Sequence, residues 1–300
     1  MKDIAITIIT VDRTPRQNYL PTTIRNFIRG GVFTSPRFHS LHIADSGGHK
    51  GWPDRELAGL ITLVDPPYPR RWIRAGAPVT GGQDVGQGLP RGAGRSRPLA
   101  PLAALTDPVG PGPVAYVYRT PVPRVACVNG SAALDAGTAT DAAWILFCED
   151  DLDVCGDFLD SVGRWLDLYG APAYHVFPFG AAYPQVKDAA QRLQFIWEYP
   201  VGAFYGTQCV ALRRAEAQSL ADHWRTNPIV CDVHSPSAFD LMLAEWHQQK
   251  FPEQPYLLAS APSFVQHIGR ESVATDIAQT HQFLSWPGPF WTFDPEVVRT

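Results

Sequence analysis

The apolar positions in the first part of the chain follow the spacing of a strand, a helix and a second strand. Residues 4–10 form a nearly continuous β-branched apolar run, which is typical of a central strand buried on both faces. Residues 20–29 carry apolar side chains at helical spacing, and the glycines that follow predict the end of that helix. The positions predicted to share one helical face are Leu20, Ile24, Phe27 and Ile28. Further strands are predicted at 41–44 and 61–64.

The second half of the chain continues the same alternation of strands and helices. A buried strand is predicted at 142–148, where the run Ala-Ala-Trp-Ile-Leu-Phe-Cys is followed at once by acidic residues. The remaining predicted elements are helices at 128–139, 157–169, 213–224 and 239–250, and strands near 174–177 and 205–212. This order predicts one α/β domain, in which ligands bind beyond the carboxyl ends of the strands.

Residues 66–113 interrupt this pattern. Ten Pro and nine Gly fall within these 48 residues, which is too many for regular secondary structure. The first part is locally basic, since six arginines at positions 70, 71, 74, 91, 95 and 97 accompany the single acid Asp84. We interpret the segment as an irregular insertion, either a solvated loop or a surface that contacts an anionic ligand.

Composition limits the classes of function. With 300 residues and 45% hydrophobic content the chain can form one large domain, and no apolar run approaches the length of a membrane span. The five cysteines form no Cys-x-x-Cys pair, so reduced thiols are expected rather than disulfides or a zinc site. The net charge of −4 offers no general attraction to nucleic acid or membrane. The opening run lacks the features of a signal peptide, so a cytoplasmic protein is expected.

The acidic cluster Glu149-Asp150-Asp151-Leu152-Asp153 is the most informative feature of the sequence. Four carboxylates in five residues repel one another, so at a buried site they stay ionised only beside a cation or strong donors. Carboxylate oxygens suit Mg²⁺ or Mn²⁺, and either ion can bridge the phosphates of a nucleotide diphosphate. The alternative is an exposed acidic turn that caps the next helix.

In its context this cluster resembles the acidic motif of the GT-A glycosyltransferases, a motif of the Asp-x-Asp kind at the end of a central strand. The matching stretches are residues 129–137 and 144–151. The Glu-Asp-Asp form is similar to that of the N-acetylglucosaminyltransferases that branch N-glycans. The resemblance implies a GT-A (Rossmann-like) single domain over residues 1–300, with a mixed, mainly parallel central sheet flanked by helices. The insertion at 66–113 and the tail at 276–300 have no counterpart, and we expect the tail to pack on the domain.

The same resemblance implies a set of donor-binding residues. Asp151 would be the direct metal ligand, while Glu149 and Asp150 would hold the ribose or the donor sugar. The loops after the first two strands match those that hold the nucleotide, and a guanidinium suits phosphate while a carboxylate suits the base or ribose. Turns without a ligand are the alternative. The other implied nucleotide or donor contacts are Thr10, Asp12, Arg13, Asp45, Ser46, Asn129, Gly206, Arg270 and Ser272.

The resemblance also implies a second metal ligand and a general base. His267 lies in a stretch where many GT-A enzymes place a metal-binding histidine, although a lone His after a strand is more often a core residue. An inverting transferase needs a carboxylate base facing the acceptor hydroxyl. Asp240, at the start of a predicted helix, is the candidate and Asp232 is its rival.

These features predict an inverting, metal-dependent glycosyltransferase that uses a nucleotide-sugar donor, with a UDP-linked sugar favoured, together with Mn²⁺ or Mg²⁺. Nucleotidyl transfer on the same fold is less favoured, because residues 11–20 contain neither the Gly nor the Lys of a phosphate-binding loop. A non-catalytic carbohydrate- or nucleic-acid-binding protein with a structural cation is the third hypothesis.

The acceptor is open between a glycan, a small molecule and a modified DNA base. The arginine-rich segment gives DNA physical plausibility, because phosphate contacts dominate affinity for DNA. A base in duplex DNA would have to be flipped out to reach the site. The oligomeric state and the donor sugar are not predicted by these patterns, and the inverting outcome rests on the resemblance alone.

Overall fold

The chain is described by a computed structural model. It describes residues 2–10, 18–45, 57–64, 113–119, 126–170, 172–180, 195–204, 207–226, 238–261 and 263–268. The predicted insertion at 66–113 therefore lies outside the described residues, except for Pro113, and so does the tail at 276–300.

A seven-stranded sheet forms the centre of the described structure. Its strands are β1 (Ile4–Thr10), β2 (Phe38–Asp45), β3 (Thr62–Val64), β4 (Val114–Arg119), β5 (Trp144–Cys148), β7 (Val176–Pro178) and β9 (Cys209–Arg213). Their order in the sheet is β3-β4-β2-β1-β5-β9-β7. The five strands from β3 to β5 in this order are parallel. Strand β9 runs antiparallel to both of its neighbours. The sheet is therefore mixed and mainly parallel.

Two short antiparallel ladders lie beside the main sheet. Strands β6 (Leu152–Val154) and β11 (Val265–His267) form one of them, and β8 (Ile196–Pro200) and β10 (Tyr256–Ser260) form the other. The β6–β11 ladder follows directly on the acidic segment after β5, so it brings a distant part of the chain to the acids.

Five α-helices are found among the described residues. They are α1 (Leu20–Arg29), α2 (Ala126–Thr138), α3 (Phe158–Tyr169), α4 (Arg214–Thr226) and α5 (Ala238–Lys250). Alternate side chains of the central strands point to opposite faces of the sheet, and both faces are buried. One core cluster contains Ile6 and Ile8 with residues of α1 and α3, and the other contains Ala5 and Ile9 with residues of α2, α4 and α5. The sheet is thus covered by helices on both sides.

The predicted fold class is confirmed, as an α/β domain with a mixed, mainly parallel sheet flanked by helices. Strand β1 is buried along its whole length, and α1 ends where the glycines predicted. One detail of α1 was wrong, because Ile28 is 44% exposed and does not share the buried face. Strand β4 was missed, since the sequence analysis placed no element between residue 113 and the helix α2.

Candidate functional site

The candidate site lies at the carboxyl ends of β1, β2 and β5. Thr10 ends β1 and is paired in register with Asp45, which ends β2. Glu149 follows the last residue of β5, and its backbone N–H donates to the carbonyl of Gln208 at 2.9 Å. Parallel strands end at the same edge of the sheet, so these polar residues come together at the position where α/β proteins bind ligands.

The acidic residues after β5 lie in different environments. Asp153 is 26% exposed and forms an ion pair with Arg29, whose side chain is 62% exposed, so this pair lies at the surface. Asp150 is buried and accepts a hydrogen bond from the hydroxyl of Thr10 at 2.5 Å. The remaining two, Glu149 and Asp151, approach a histidine from another part of the chain. The cluster is therefore not a uniform exposed turn.

Glu149, Asp151 and His267 form a group that could bind a metal ion. One ligand atom from each of the three lies within 4.8 Å of the others. The Nε2 atom of His267 is 3.0 Å from Oδ2 of Asp151. Adjacent ligands of an octahedral ion at about 2.1 Å also lie about 3.0 Å apart, so this spacing suits Mn²⁺ or Mg²⁺ as well as a hydrogen bond. Two carboxylates and one imidazole are a donor set that Mn²⁺ accepts, so the residues fit the predicted ion.

The β6–β11 ladder explains how His267 reaches the acids. His267 is paired with Leu152 in this ladder, and the next residue, Ile268, donates its backbone N–H to the carbonyl of Asp151 at 2.8 Å. The histidine and the aspartate are thus held on neighbouring backbone segments. The structure places His267 beside Asp151, and its role as a metal ligand stays a prediction from the resemblance.

Burial strongly affects the Glu149 carboxyl. Removal from solvent raises its pKa to about 8, and the negative charge of Asp151 adds to this effect. His267 and the hydroxyl of Thr207 act in the opposite direction, while Asp240 raises the pKa further. In the absence of a cation, Glu149 is therefore mostly protonated at neutral pH.

Asp240 reaches the same region from the first turn of α5. Its Oδ1 atom accepts a hydrogen bond from the backbone N–H of Thr207 at 2.8 Å, and the side chain is 7% exposed. The hydroxyl of Thr207 lies 3.0 Å from Oε1 of Glu149, to which it donates. Thr207 therefore contacts both Asp240, the predicted base, and Glu149 of the acidic cluster. The sequence predicts a strand near 205–212 but no role for Thr207, because nothing in the local pattern marks this residue.

A second polar group surrounds the end of β1. The side-chain amide of Asn129 donates to the carbonyl of Thr10 at 3.2 Å. The Oδ1 atom of Asn129 is buried and has no hydrogen-bond partner among the described residues. Asp45 is 2% exposed. The hydrogen bond from Thr10 to Asp150 joins these polar residues to the acidic cluster, so both sets of residues belong to one site.

Helix α2 packs very closely on α5 beside this site. A Cβ atom on Gly130 would lie 2.5 Å from Cε1 of Phe239 and 2.7 Å from Cζ3 of Trp224. Phe239 immediately precedes Asp240 and also packs edge-on against Phe147 of β5. The absence of a side chain at Gly130 thus allows α5 to approach the end of the sheet.

Seven predicted site residues lie outside the described residues: Asp12, Arg13, Ser46, Gly206, Asp232, Arg270 and Ser272. Their assignments remain predictions. Of the other predicted residues, the structure brings together Thr10, Asp45, Asn129, Glu149, Asp150, Asp151, Asp240 and His267 at one edge of the sheet.

Fold and site define an α/β protein with a carboxylate- and histidine-lined candidate metal centre at the carboxyl ends of its parallel strands. No protein-family model and no curated protein matches the sequence. Among the described residues, no helix combines the length and the apolar character needed to cross a membrane.

Several solved structures are similar to this chain. A mycobacterial protein has a TM-score of 0.43 and 12% identity, over 90% of this chain and 68% of that one. The glucosyl-3-phosphoglycerate synthase of Mycobacterium tuberculosis, in complex with Mn²⁺, UDP and phosphoglyceric acid, has a TM-score of 0.38 and 12% identity, over 76% of this chain and 63% of that one. S. aureus TarS 1-349, in complex with UDP-GlcNAc, has a TM-score of 0.47 and 8% identity, over 90% of this chain and 59% of that one.

The chain thus spans less than two thirds of the length of the last two structures. At these identities and TM-scores the similarities assign neither a family nor an activity to this chain. Its function must therefore be argued from the site.

Proposed function

We propose that this chain is a metal-dependent glycosyltransferase that moves a hexosyl or N-acetylhexosaminyl group from a UDP-linked donor to an acceptor hydroxyl. The observation that carries the proposal is the convergence of Glu149, Asp151 and His267 within 4.8 Å at the carboxyl ends of the parallel strands. The adjoining polar group of Thr10, Asp45 and Asn129 supports it, because ribose and base edges need buried hydrogen-bonding partners.

Asp151 and His267 would hold the cation, with Glu149 either as a third ligand or as a contact to the donor. When bound, the ion supplies positive charge beside the diphosphate, where negative charge develops as the nucleotide leaves. Neutral imidazole favours Mn²⁺ over Mg²⁺, since Mg²⁺ prefers oxygen ligands.

Asp240 would act as the general base of an inverting reaction. It would accept the proton of the acceptor hydroxyl while that oxygen attacks the anomeric carbon and the bond from this carbon to the diphosphate oxygen breaks. The hydrogen bond from the Thr207 N–H at 2.8 Å holds one oxygen of Asp240 in place. Asp240 also lies close enough to Glu149 to raise the pKa of Glu149, so the proposed base lies beside the acidic cluster.

The experiment that tests the proposal is thermal unfolding with a panel of nucleotide sugars, with and without Mn²⁺. It compares the parent with Asp151→Asn and with Asp153→Asn as the matched control, since Asp153 lies two residues further on and pairs only with Arg29 among the ionic contacts of the described residues. We expect Mn²⁺ and one UDP-sugar together to raise the Tm of the parent and of Asp153→Asn, because a ligand that binds only the folded state stabilises it. Asp151→Asn should lose this shift.

The two contrary outcomes have different meanings. If no nucleotide sugar changes the Tm, the chain is better explained as a non-catalytic binding protein. If Asp151→Asn responds as the parent does, the cation does not bind at this group.

The acceptor is tested separately: DNA affinity that falls steeply with salt, and that is lost when residues 66–113 are removed, would favour a modified DNA base over a glycan or a small molecule.

A further inference from the structure

Two polar side chains of α1 are buried against the backbone that follows β5. Thr23 is fully buried, and Asn26 is about nine-tenths buried. The Thr23 hydroxyl oxygen lies 2.7 Å from the carbonyl oxygen of Asp150 and 3.2 Å from that of Leu152, to both of which it can donate. It also accepts the backbone N–H of Leu152 at 2.8 Å. The Asn26 amide donates to the same Leu152 carbonyl at 2.9 Å.

These contacts supply hydrogen-bond partners for backbone that is not part of the main sheet. Strand β5 ends at Cys148, and the ladder of β6 begins at Leu152, so the peptide groups between them need partners from elsewhere. A threonine inside a helix ordinarily faces solvent or bonds to its own preceding turn. Thr23 instead bonds to a segment more than 120 residues away in sequence, which indicates a specific role for its hydroxyl.

The segment is held from two sides, with Asp151 between them. On one side Thr23 binds the carbonyl of Asp150 and the N–H of Leu152. On the other side the N–H of Ile268 binds the carbonyl of Asp151. These bonds restrict the backbone that sets the direction of the Asp151 side chain toward His267, 3.0 Å away.

We infer that Thr23, assisted by Asn26, is a positioning residue for the cation site, acting through the backbone on either side of Asp151. This inference rests on the proposed function, because it concerns the ion that Asp151 and His267 would bind. Neither α1 side chain needs to touch the ion. Loss of the Thr23 hydroxyl leaves buried backbone groups without these partners, and the segment then relaxes away from the geometry that binds the ion best.

The test measures Mn²⁺ affinity directly, by electron paramagnetic resonance of free Mn²⁺, on the full chain at one pH. Thr23→Val removes the hydroxyl and keeps the shape, while Thr23→Ser keeps the hydroxyl. Thr140→Val is the matched control, since Thr140 is also buried, donates to the carbonyl of Gly137 at 2.7 Å and accepts the N–H of Ala142 at 3.2 Å, before the amino end of β5.

We expect Thr23→Val to weaken Mn²⁺ binding by roughly tenfold to a hundredfold, the range typical of residues that orient metal ligands. Thr23→Ser should bind within about threefold of the parent, and Thr140→Val should bind as the parent does even if its Tm falls by a similar amount. Asn26→Leu, which removes one of these bonds, should show a smaller loss.

Each other outcome overturns a defined claim. If the parent does not bind Mn²⁺, the proposed function fails together with the inference. If the parent binds and Thr23→Val binds equally well, only the inference fails. It also fails if Thr140→Val weakens binding as much as Thr23→Val, because affinity then follows stability. Should Thr23→Val not fold, unchanged affinity in Asn26→Leu overturns it.

Discussion

At the scale of single residues, the roles proposed for Asp240 and Asp151 differ, and substitutions can separate them. We expect Asp240→Asn to retain the Mn²⁺- and donor-dependent rise in Tm but to lower the rate of transfer by about 10²–10⁴-fold, since a positioned general base contributes that much. The asparagine oxygen can still accept the Thr207 N–H, so the local structure should persist.

The transfer rate and the ligand-dependent shift in Tm are both measured on the same protein preparations. An Asp240→Asn variant that loses the thermal shift as well would assign Asp240 to donor binding. A variant with the parent's rate would exclude it as the base and direct attention to its rival Asp232.

His247 gives the protein a testable sensitivity to acid. Its ring is fully buried, and neither nitrogen has a hydrogen-bond partner among the described residues. Burial, and then the nearby His175 ring, lowers the pKa of His247 to about 4. His175 itself lies 3.6 Å from a carboxylate oxygen of Glu216.

The direction of this pH dependence follows from proton binding in the folded and unfolded states. Between pH 6.5, the usual pKa of histidine, and pH 4 the unfolded chain binds a proton at this position and the folded chain does not. The contribution of His247 to the free energy of unfolding is therefore fully present above pH 6.5. It decreases as the pH falls, with a slope of at most about 1.4 kcal/mol per pH unit for one proton.

We expect His247→Leu to reduce this slope in chemical denaturation measured from pH 4 to 7. At pH 7 its stability should be close to that of the parent, because the imidazole makes no hydrogen bond there to described residues. The difference between the two curves removes the similar contribution of the buried His42, whose pKa is lowered to about 3 by burial. Parallel curves would contradict the prediction.

The residues of the site were predictable from the sequence only in part. The acids were recognisable because they end a strongly apolar strand. Their different environments were not, since the partners that separate them, Thr10 and Arg29, come from other elements. Thr207 was not identified because a threonine becomes informative only when its contacts with Glu149 and Asp240 are known.

At the scale of secondary-structure elements, the close approach of α2 and α5 depends on Gly130. We expect Gly130→Ala to destabilise the protein by about 1–3 kcal/mol, because a methyl group would overlap Phe239 and Trp224, which pack on each other. The better helix propensity of alanine, worth about 1 kcal/mol, should offset only part of this loss.

Gly156→Ala is the matched control, since a Cβ atom there would meet nothing within 4 Å. It should change the free energy of unfolding in denaturant by less than about 0.5 kcal/mol. Equal effects of the two substitutions would mean that the packing of α5 on α2 is loose enough to accept a methyl group.

Elements with strong periodicity were predictable to within a few residues, as α1 and β1 illustrate. Strand β4 was not identified because the Pro- and Gly-rich composition before it dominated the interpretation, although Val114-Ala115-Tyr116-Val117-Tyr118 has β-forming residues. The direction of β9 was beyond prediction, since periodicity shows which residues are buried but not which strand pairs with which.

At the scale of the whole molecule, Arg37 joins three distant segments. Its guanidinium donates to both carboxylate oxygens of Asp3, before β1, at 2.7 Å, and to Asp167 of α3 at 2.7 Å. The side chain is only 16% exposed. A planar guanidinium can make these bonds together, whereas an ammonium cannot.

We therefore expect Arg37→Lys to lower the free energy of unfolding by about 1–3 kcal/mol in denaturant titration. Arg29→Lys is the control, because the Arg29 pair with Asp153 is exposed and should contribute less than about 0.5 kcal/mol. Similar losses in both variants would show that Arg37 does not hold these segments together.

The protonated state of Glu149 has a calorimetric consequence. With a pKa of about 8, this carboxyl carries its proton in most molecules at pH 7 when no cation is bound. A cation that takes Glu149 as a ligand must expel that proton into the buffer. The heat of Mn²⁺ binding will then depend on the ionisation enthalpy of the buffer, and the slope of that dependence counts the protons released. A slope near one proton in the parent that disappears in Glu149→Gln would show that Glu149 gives up its proton when the ion binds, whereas a slope near zero would show that it keeps the proton.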